Sequence, residues 1–426
     1  MNPSTSPLGA FIGIDWADRS HQVCWRRVHE TNWQHLELEQ TPEAIAQWAA
    51  SLQHQFGGQA VGVCLEQSRG PLVYALSAYP WIVLYPINPK SLARYREALA
   101  PSRAKDDPSD AQLLGQFLAL HQSQLRAWKA EDAATRRLRW LLENRETLVD
   151  ERTRLAHRLK AVLKSYYPQA LDWAGPLTKP MAWAFLLRWS RLELLQRAKK
   201  TALLKFFYAH QVRRGDQISE AYGQIQQAVA LVHDEALVET SELLVQSLCK
   251  QLQALEPFIA RHNEQIAALF AAHPERALFE ALPGAGAVLG PRLAVAFGTD
   301  RDRFASEASV QQLSGIAPVT ERSGRACWVH WRWAANSFLR QSFHEFALHS
   351  RRQSVWARLY YEQLRQQGKD HHASVRALAF KWIRILYRCW KDRTPYDEQR
   401  YCQALRRQGS PLAVLIDRHL ANQEAV

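Results

Sequence analysis

Four acidic residues in the first third of the chain have the chemistry and the positions needed to hold divalent cations. Asp15 and Glu66 each follow an apolar run, and Asp107 and Asp110 lie three residues apart at the start of a helical pattern. Carboxylates placed this way can converge at one end of a sheet and bind hard cations, which require oxygen ligands. Two ions held there can clamp a phosphodiester during displacement. The set favours nucleic-acid strand chemistry, although each carboxylate by itself also fits a helix cap or a surface charge.

A second group of chemically capable residues surrounds Ser323. Arg322 and Arg325 flank this serine. A serine hydroxyl is a weak nucleophile unless a base or metal activates it, and guanidinium groups can stabilise charge that develops on a phosphoryl group. Between residues 321 and 360 there are seven Arg, including Arg332, against two Glu, with four Trp interleaved. That density favours a nucleic-acid surface, although a lone Ser-Gly in a basic loop is more often a turn or a phosphate contact than a nucleophile.

The acidic residues need a sheet to position them, and residues 1–127 contain the elements of one. Five segments read as strands, namely FIGIDW, HQVCWRRV, HLELEQ, AVGVCLE and WIVLYPI. A helix follows the third strand, because TPEAIAQWAASLQHQ has apolar residues at helical spacing after a Thr N-cap and a Pro in its first position. Strands first, and then helices alternating with strands, predict a mixed α/β sheet flanked by helices.

A heptad stripe begins after residue 128. It is formed by Leu141, Leu148, Leu155 and Val162, with Leu138 and Leu159 on the adjoining seam. Arg145 and Arg152 interrupt this stripe. A second helical run occupies residues 244–259, and an insertion rich in Pro and aromatic residues separates the two. Residues 128–272 are therefore predicted to form an antiparallel coiled-coil arm with an insertion, while a plain helical domain explains the periodicity equally well.

The rest of the chain is predicted to be mainly helical. In LPGAGAVLGPRLAVAFG, Gly284 and Gly286 lie between helical segments and suggest a helix-hairpin-helix-like turn, whose backbone N–H groups can receive a phosphate. A simple helix–helix turn is the commoner explanation of such a glycine pair. We assign residues 273–395 to a C-terminal domain that carries the serine. Residues 396–426 are predicted to be a tail with a terminal helix and a short appendage.

Composition restricts the class of protein. Hydrophobic residues make up 47% and charged residues 22% of the chain, as in globular proteins. The net charge of +13 favours a polyanionic partner. Six scattered Cys without a CxxC pair argue against a zinc site or a disulfide framework and fit a reducing cytosol. Because neither a secretory leader nor an apolar run of roughly 20 residues is found, we expect a cytoplasmic protein.

Taken in order, Asp15, Glu66, KDDPSDA, LPGAGAV and GIAPVTERSGR resemble the insertion-sequence one-ten family of transposases, which includes the Piv-type DNA invertases. The resemblance extends over residues 10–125 and 275–390. KDDPSDA fits the family pattern Lys-x-Asp-x-x-Asp-Ala with Asp107 and Asp110 as the acidic pair, and Asp106 is an off-register competitor. GIAPVTERSGR, with WVHWRW downstream, looks closest to the branch named after insertion sequence eleven-eleven.

The resemblance implies a RuvC-like catalytic domain of RNase H-like fold, in which the four carboxylates bind Mg²⁺. It also implies a coiled-coil arm and a C-terminal transposase domain that supplies Ser323 as a nucleophile, so that a phosphoserine intermediate precedes strand exchange. The composite site would form between protomers of a dimer to tetramer. The partners would be double-stranded DNA of the element junction and target, and a noncoding guide RNA that carries the specificity by base pairing. Candidate nucleic-acid contacts are Lys105, Gly284, Gly286, Arg322, Arg325 and Arg332.

Two other functions compete with this interpretation. In a metal-dependent junction-resolving nuclease, the carboxylates would activate water and Ser323 would only hold a phosphate. A covalent protein–DNA species separates the two, since only a serine nucleophile produces one. A non-catalytic RNA-binding protein would use the Arg- and Trp-rich surface alone, and the ordered set of carboxylates makes this third function the weakest.

Overall fold

The computed structural model describes residues 7–67, 69–99, 107–333 and 335–424. The chain divides into two compact units, residues 1–130 and 131–426. The division into four domains drawn from the sequence is finer than this and stays a prediction.

A five-stranded mixed sheet forms the centre of the first unit. Its strands are β1 (Ala10–Asp15), β2 (Ser20–Arg27), β3 (Gln34–Glu39), β4 (Val61–Leu65) and β5 (Ile82–Pro86). The order across the sheet is β3-β2-β1-β4-β5. Strands β1, β2 and β3 pair antiparallel, whereas β4 and β5 run parallel to β1. All five predicted strands are confirmed, and the mixed sheet is consistent with an RNase H-like fold.

Helices cover both faces of this sheet. They are α1 (Pro42–Gln55), α2 (Pro71–Leu76), α3 (Pro89–Leu99) and α4 (Asp107–His121), and a short 3-10 helix (Gln122–Gln124) follows. Helix α1 begins as predicted, with the Thr41 hydroxyl accepting a hydrogen bond from the Ala44 N–H at 3.2 Å. Helices α1 and α2 share one hydrophobic core with Ile12 and Ile14 of β1. Helix α4 packs on the opposite face, in a separate core that includes Phe11.

Two long antiparallel helices organise the first half of the second unit. These are α5 (Ala133–Tyr166) and α11 (Glu235–Ala271). The insertion between them is helical and comprises α6 (Ala170–Trp173), α7 (Pro180–Arg188), α8 (Leu192–Gln196), α9 (Lys200–Ala209) and α10 (Gly215–Gln227). Near its start α5 shares a core with the end of α11, and its last turns pack with the middle of α11 and with the insertion. The predicted pair of long helices with a large insertion is confirmed, and its description as a coiled-coil arm stays a prediction.

The remaining helices form a second core around buried aromatic side chains. The elements are α12 (Arg276–Phe279), α13 (Gly286–Phe297), α14 (Glu307–Leu313), α15 (Ser337–Ser350), α16 (Val355–Gln366), α17 (His371–Lys391), α18 (Glu398–Arg407) and α19 (Pro411–Glu424). Trp356, Trp382 and Trp390 are fully buried there. The predicted tail is not a loose appendage: Leu405 and Ile416 place both terminal helices in this core. Between α14 and α15 a hairpin of β6 (Val319–Ser323) and β7 (Ala326–His330) is exposed on both strands over most of its length.

Candidate active site

The two strand-end carboxylates lie side by side at one edge of the sheet. Strands β1 and β4 are adjacent and parallel, and Ile14 pairs with Leu65, so Asp15 and Glu66 occupy neighbouring positions at the carboxyl ends. Side chains alternate along a strand. Because Ile14 and Leu65 point into the core under α1 and α2, Asp15 and Glu66 belong to the α4 side. Burial, and then the charge of Glu66, raise the pKa of the Cys64 thiol two residues away on that same side.

Helix α4 is held against β1 by an unusually close backbone approach. A Cβ added to Gly13 would lie 2.0 Å from the carbonyl oxygen of Ala111 and 2.4 Å from the amide nitrogen of Gly115. Further along α4, Leu118 lies over Gly62, which is near the start of β4: a Cβ added to Gly62 would lie 3.1 Å from a methyl carbon of Leu118. The helix therefore runs antiparallel to β1 and β4, and its first turn lies at the edge where Asp15 and Glu66 stand.

That first turn carries the other two candidate ligands. Asp110 is buried, with 2% of its surface exposed, whereas Asp107 is exposed at the start of the helix. Asp110 is ion-paired with Arg96 of α3: its Oδ1 lies 2.8 Å from the Arg96 Nε and 2.5 Å from the Nη2. Arg96 was not singled out from the sequence, since an arginine fourteen residues before an aspartate has no spacing signal. Lys105 and Asp106 lie outside the described residues.

The four carboxylates share an edge but do not close around a common point. Within residues 7–67, 69–99, 107–333 and 335–424, no three His, Cys, Asp or Glu side chains stand close enough together to hold a metal ion. The donor set nevertheless has the right chemistry, because Mg²⁺ prefers carboxylate oxygens. The guanidinium of Arg96 supplies positive charge at Asp110, the most buried of the four.

Ser323 lies at the end of β6, beside the turn of the exposed hairpin. It pairs with Ala326, and Gly324 follows it with a φ of +57°. A glycine of positive φ in the first central position is typical of type II′ turns. The guanidinium groups of Arg322 and Arg325 are exposed on either side. In the part of the chain that the structure describes, no side chain accepts a hydrogen bond from the Ser323 hydroxyl.

The other predicted phosphate contacts are placed differently. Gly284 has a φ of +79°, and its N–H donates to the Oε1 of Gln353 at 2.7 Å. A Cβ at Gly286 would meet open space. Arg332 follows the hairpin, where its Nε lies 3.4 Å from the carbonyl oxygen of Ala317. Their role in nucleic-acid binding stays a prediction.

Comparison with known proteins assigns the chain to a family. A family model described as Transposase, of the DEDD IS110 class, matches residues 12–168. A second, described as Transposase IS116/IS110/IS902 family, matches residues 276–362. The chain belongs to the IS110 family of transposases. The four carboxylates of this transposase fall within the first match, and Ser323 falls within the second.

Curated relatives agree over nearly the whole length. The mini-circle putative transposase for IS117 of Streptomyces coelicolor is 27% identical over 422 residues, which covers 92% of this chain and 96% of the relative. An insertion element IS110 protein of 43.6 kDa from the same organism is 25% identical, over 93% and 97% of the two chains. An insertion element IS900 protein of Mycobacterium paratuberculosis is 28% identical, over 68% and 73%. Among the described residues, no helix is long and apolar enough to cross a membrane.

Proposed function

We propose that this transposase cuts and rejoins DNA strands with Ser323 as the nucleophile and with divalent cations, Mg²⁺ in the first instance, held by Asp15, Glu66, Asp107 and Asp110. The observation that carries the proposal is the register of β1 and β4, which sets Asp15 beside Glu66 at the edge where α4 begins. Cations bound there would neutralise phosphate charge and lower the pKa of a coordinated hydroxyl.

The chemistry divides into two transfers at phosphorus. In the first, the Ser323 oxygen attacks a phosphodiester: an O–P bond forms, the hydroxyl proton leaves, and the P–O bond to one deoxyribose breaks as that oxygen takes up a proton. In the second, a deoxyribose hydroxyl of another strand attacks the phosphoserine and releases the serine. Arg322 and Arg325, exposed beside Ser323, would bind the phosphate oxygens. Bond energy is conserved, so no external energy source is required.

The partners in this proposal are double-stranded DNA, at the element junction and the target, and a noncoding guide RNA. The net charge of +13 supports a polyanionic partner. We further propose that the protein works as a homo-oligomer, a dimer to tetramer, because within the described residues no side chain accepts a hydrogen bond from the Ser323 hydroxyl. A second protomer would then be able to complete the site.

A denaturing gel tests the nucleophile. Protein would be incubated with Mg²⁺, labelled element-junction DNA and RNA transcribed from the flanking noncoding region. We expect an SDS-resistant protein–DNA adduct with the wild type and with Ser337→Ala, a control at an exposed serine on the first turn of α15. Ser323→Ala should form none. Nicked DNA without an adduct, equal in all three proteins, would instead establish a junction-resolving nuclease.

The metal assignment is tested separately. Asp15→Asn keeps the size of the side chain and removes its charge, so we expect both adduct formation and recombination to fall below detection. Full recombination by Asp15→Asn would remove Asp15 from the metal site. Nucleic-acid binding without cleavage in every variant and in the wild type would favour the non-catalytic RNA-binding protein.

A further inference from the structure

A cluster of two arginine and two histidine side chains lies at the base of the hairpin that carries Ser323. Arg340 and His344 are four residues apart on α15, and His372 and Arg376 are four residues apart on α17. This spacing places each pair on one helix face. The rings of His344 and His372 face each other with centroids 5.7 Å apart, so the two pairs meet where the helices pack.

Trp331 joins this cluster from the chain segment that directly follows β7. The guanidinium carbons of Arg340 and Arg376 lie 4.7 Å and 4.5 Å from the centroid of its ring. Such contacts hold a cation without neutralising it. Arg340 is also tethered through Nη2, which donates to the carbonyl oxygen of Arg332 at 2.5 Å. Its Nε is buried and finds no acceptor within the described part of the chain.

The electrostatic surroundings of the cluster are those of an anion site. Burial, and then the charges of His372, Arg376 and His371, lower the pKa of His344. Burial, followed by the charge of Arg376, lowers the pKa of Arg340. Asp370, the N-cap of α17, accepts the Ala373 N–H at 2.7 Å, and that bond together with the charges of Arg376 and His372 lowers its pKa. Like charges held this close are relieved when an anion binds between them.

We propose that Arg340, His344, His372 and Arg376 form a binding site for a backbone phosphate of the nucleic-acid substrate. The guanidinium of Arg376 matches phosphate oxygens in a fork, and His372 is exposed beside it. Because Trp331 directly follows the strand paired with that of Ser323, a phosphate bound here anchors the strand next to the hairpin. This phosphate site depends on the proposal that the protein binds DNA or RNA. It does not depend on Ser323 acting as the nucleophile.

The phosphate site is tested by measuring nucleic-acid binding under conditions in which no strand cleavage takes place. Full-length protein in EDTA would be titrated against a fluorescent DNA duplex and against single-stranded RNA of the same length, by anisotropy over a series of salt concentrations. For Arg376→Gln we expect affinity to fall about tenfold and the slope of log K against log salt to become shallower by about 1. The control is Arg388→Gln, which removes the same charge from an exposed position on α17 and should change affinity less than about twofold.

A charge reversal at an exposed position is a second test of phosphate binding, because a substitution on the surface should not disturb folding. His372→Glu should weaken binding at least as far as Arg376→Gln, and Arg388→Glu should weaken it less. If the variants lose affinity only for the DNA duplex, the bound phosphate belongs to DNA. If they lose affinity only for the single-stranded RNA, it belongs to RNA. Equal losses of affinity in the α17 variants and in their controls would overturn the phosphate site. The proposed function would still stand if the Ser323 adduct formed in the same proteins.

Discussion

At the scale of single residues, the ion pair between Arg96 and Asp110 is the feature with most bearing on the metal site. Asp110 is buried and the side chain of Arg96 is 17% exposed. A buried carboxylate must be paired, because an uncompensated charge in the interior is costly. Arg96 therefore stabilises the fold by compensating the charge of Asp110, and under the proposed function a cation bound by Asp110 would compete with Arg96 for the same oxygen.

This competition gives the first prediction. Arg96→Met should lower the stability of the first unit by about 3 kcal/mol or more, since it leaves Asp110 unpaired. Millimolar Mg²⁺ should restore more of the thermal stability of Arg96→Met than it adds to the wild type, because the ion gains a free ligand. Arg94→Met, at an exposed position on the same helix, is the matched control. Equal Mg²⁺ responses in both variants would exclude Asp110 as a ligand.

The sequence indicated Asp15 and Glu66 for a simple physical reason. Each follows a run of apolar residues that can only be a buried strand, and the carboxyl end of such a strand opens to solvent. Arg96 carries no comparable signal, because it reaches Asp110 from a neighbouring helix and no pattern in the sequence encodes that contact.

At the scale of elements, the contact between β1 and α4 sets the geometry of the acidic edge. Gly13 and Gly115 allow the helix backbone to lie directly on the strand; Asp15 lies two residues beyond Gly13, and Asp110 lies five residues before Gly115. Gly13→Ala should push α4 off β1 and destabilise the first unit by about 3 kcal/mol.

Hydrogen exchange would measure that change locally. We expect faster exchange of the β1 and α4 amides in Gly13→Ala. Gly223→Ala makes the same substitution in α10, where a Cβ would meet open space, and should stabilise its helix by about 0.5 to 1 kcal/mol. Unchanged protection of α4 in Gly13→Ala would show that the close approach is not needed to dock the helix.

The long helices show where periodicity is informative and where it fails. Arg145 and Arg152, which interrupt the predicted stripe, contact α11 through Asn263 and Glu256. Burial along α5 does not follow the stripe alone: Leu148 of the stripe is half-buried, while Leu142, outside it, is buried. A strict seven-residue repeat drifts on a helix of 3.6 residues per turn, and the insertion covers a different face of α5 near its end. Heptads alone therefore located the pair of helices but not every contact between them.

At the scale of the whole molecule, two buried histidines make stability depend on pH. His21 in the first unit accepts the Ala17 N–H on Nδ1, and His273 in the second accepts the Glu275 N–H on Nδ1. Burial is the largest influence on both and lowers the pKa of each below the ordinary value of 6.5. Both side chains are therefore neutral in the folded protein, and protonation on Nδ1 would break these hydrogen bonds.

The sign of the effect follows from proton binding. Below about pH 6.5 the unfolded chain takes up protons on these histidines that the folded chain does not, so the free energy of unfolding falls as the pH falls. Urea unfolding at about pH 7.5 and about pH 5.5 should show this loss in the wild type. His273→Gln should be less stable than the wild type at the higher pH, because it disturbs the hydrogen bond to Thr135. Between the two pH values, however, its free energy of unfolding should fall by less than that of the wild type.

His262→Gln is the control for this pH dependence, since His262 is only half-buried on α11. It should retain the wild-type loss between the two pH values, because both buried histidines are still present. Identical losses in His273→Gln and His262→Gln would mean that the buried histidines do not set the acid sensitivity. The destabilisation would then have to come from the net charge of the chain, +13 before any histidine is protonated, since added positive charge also repels within a compact protein. High salt would weaken that repulsion but would leave a buried histidine unaffected.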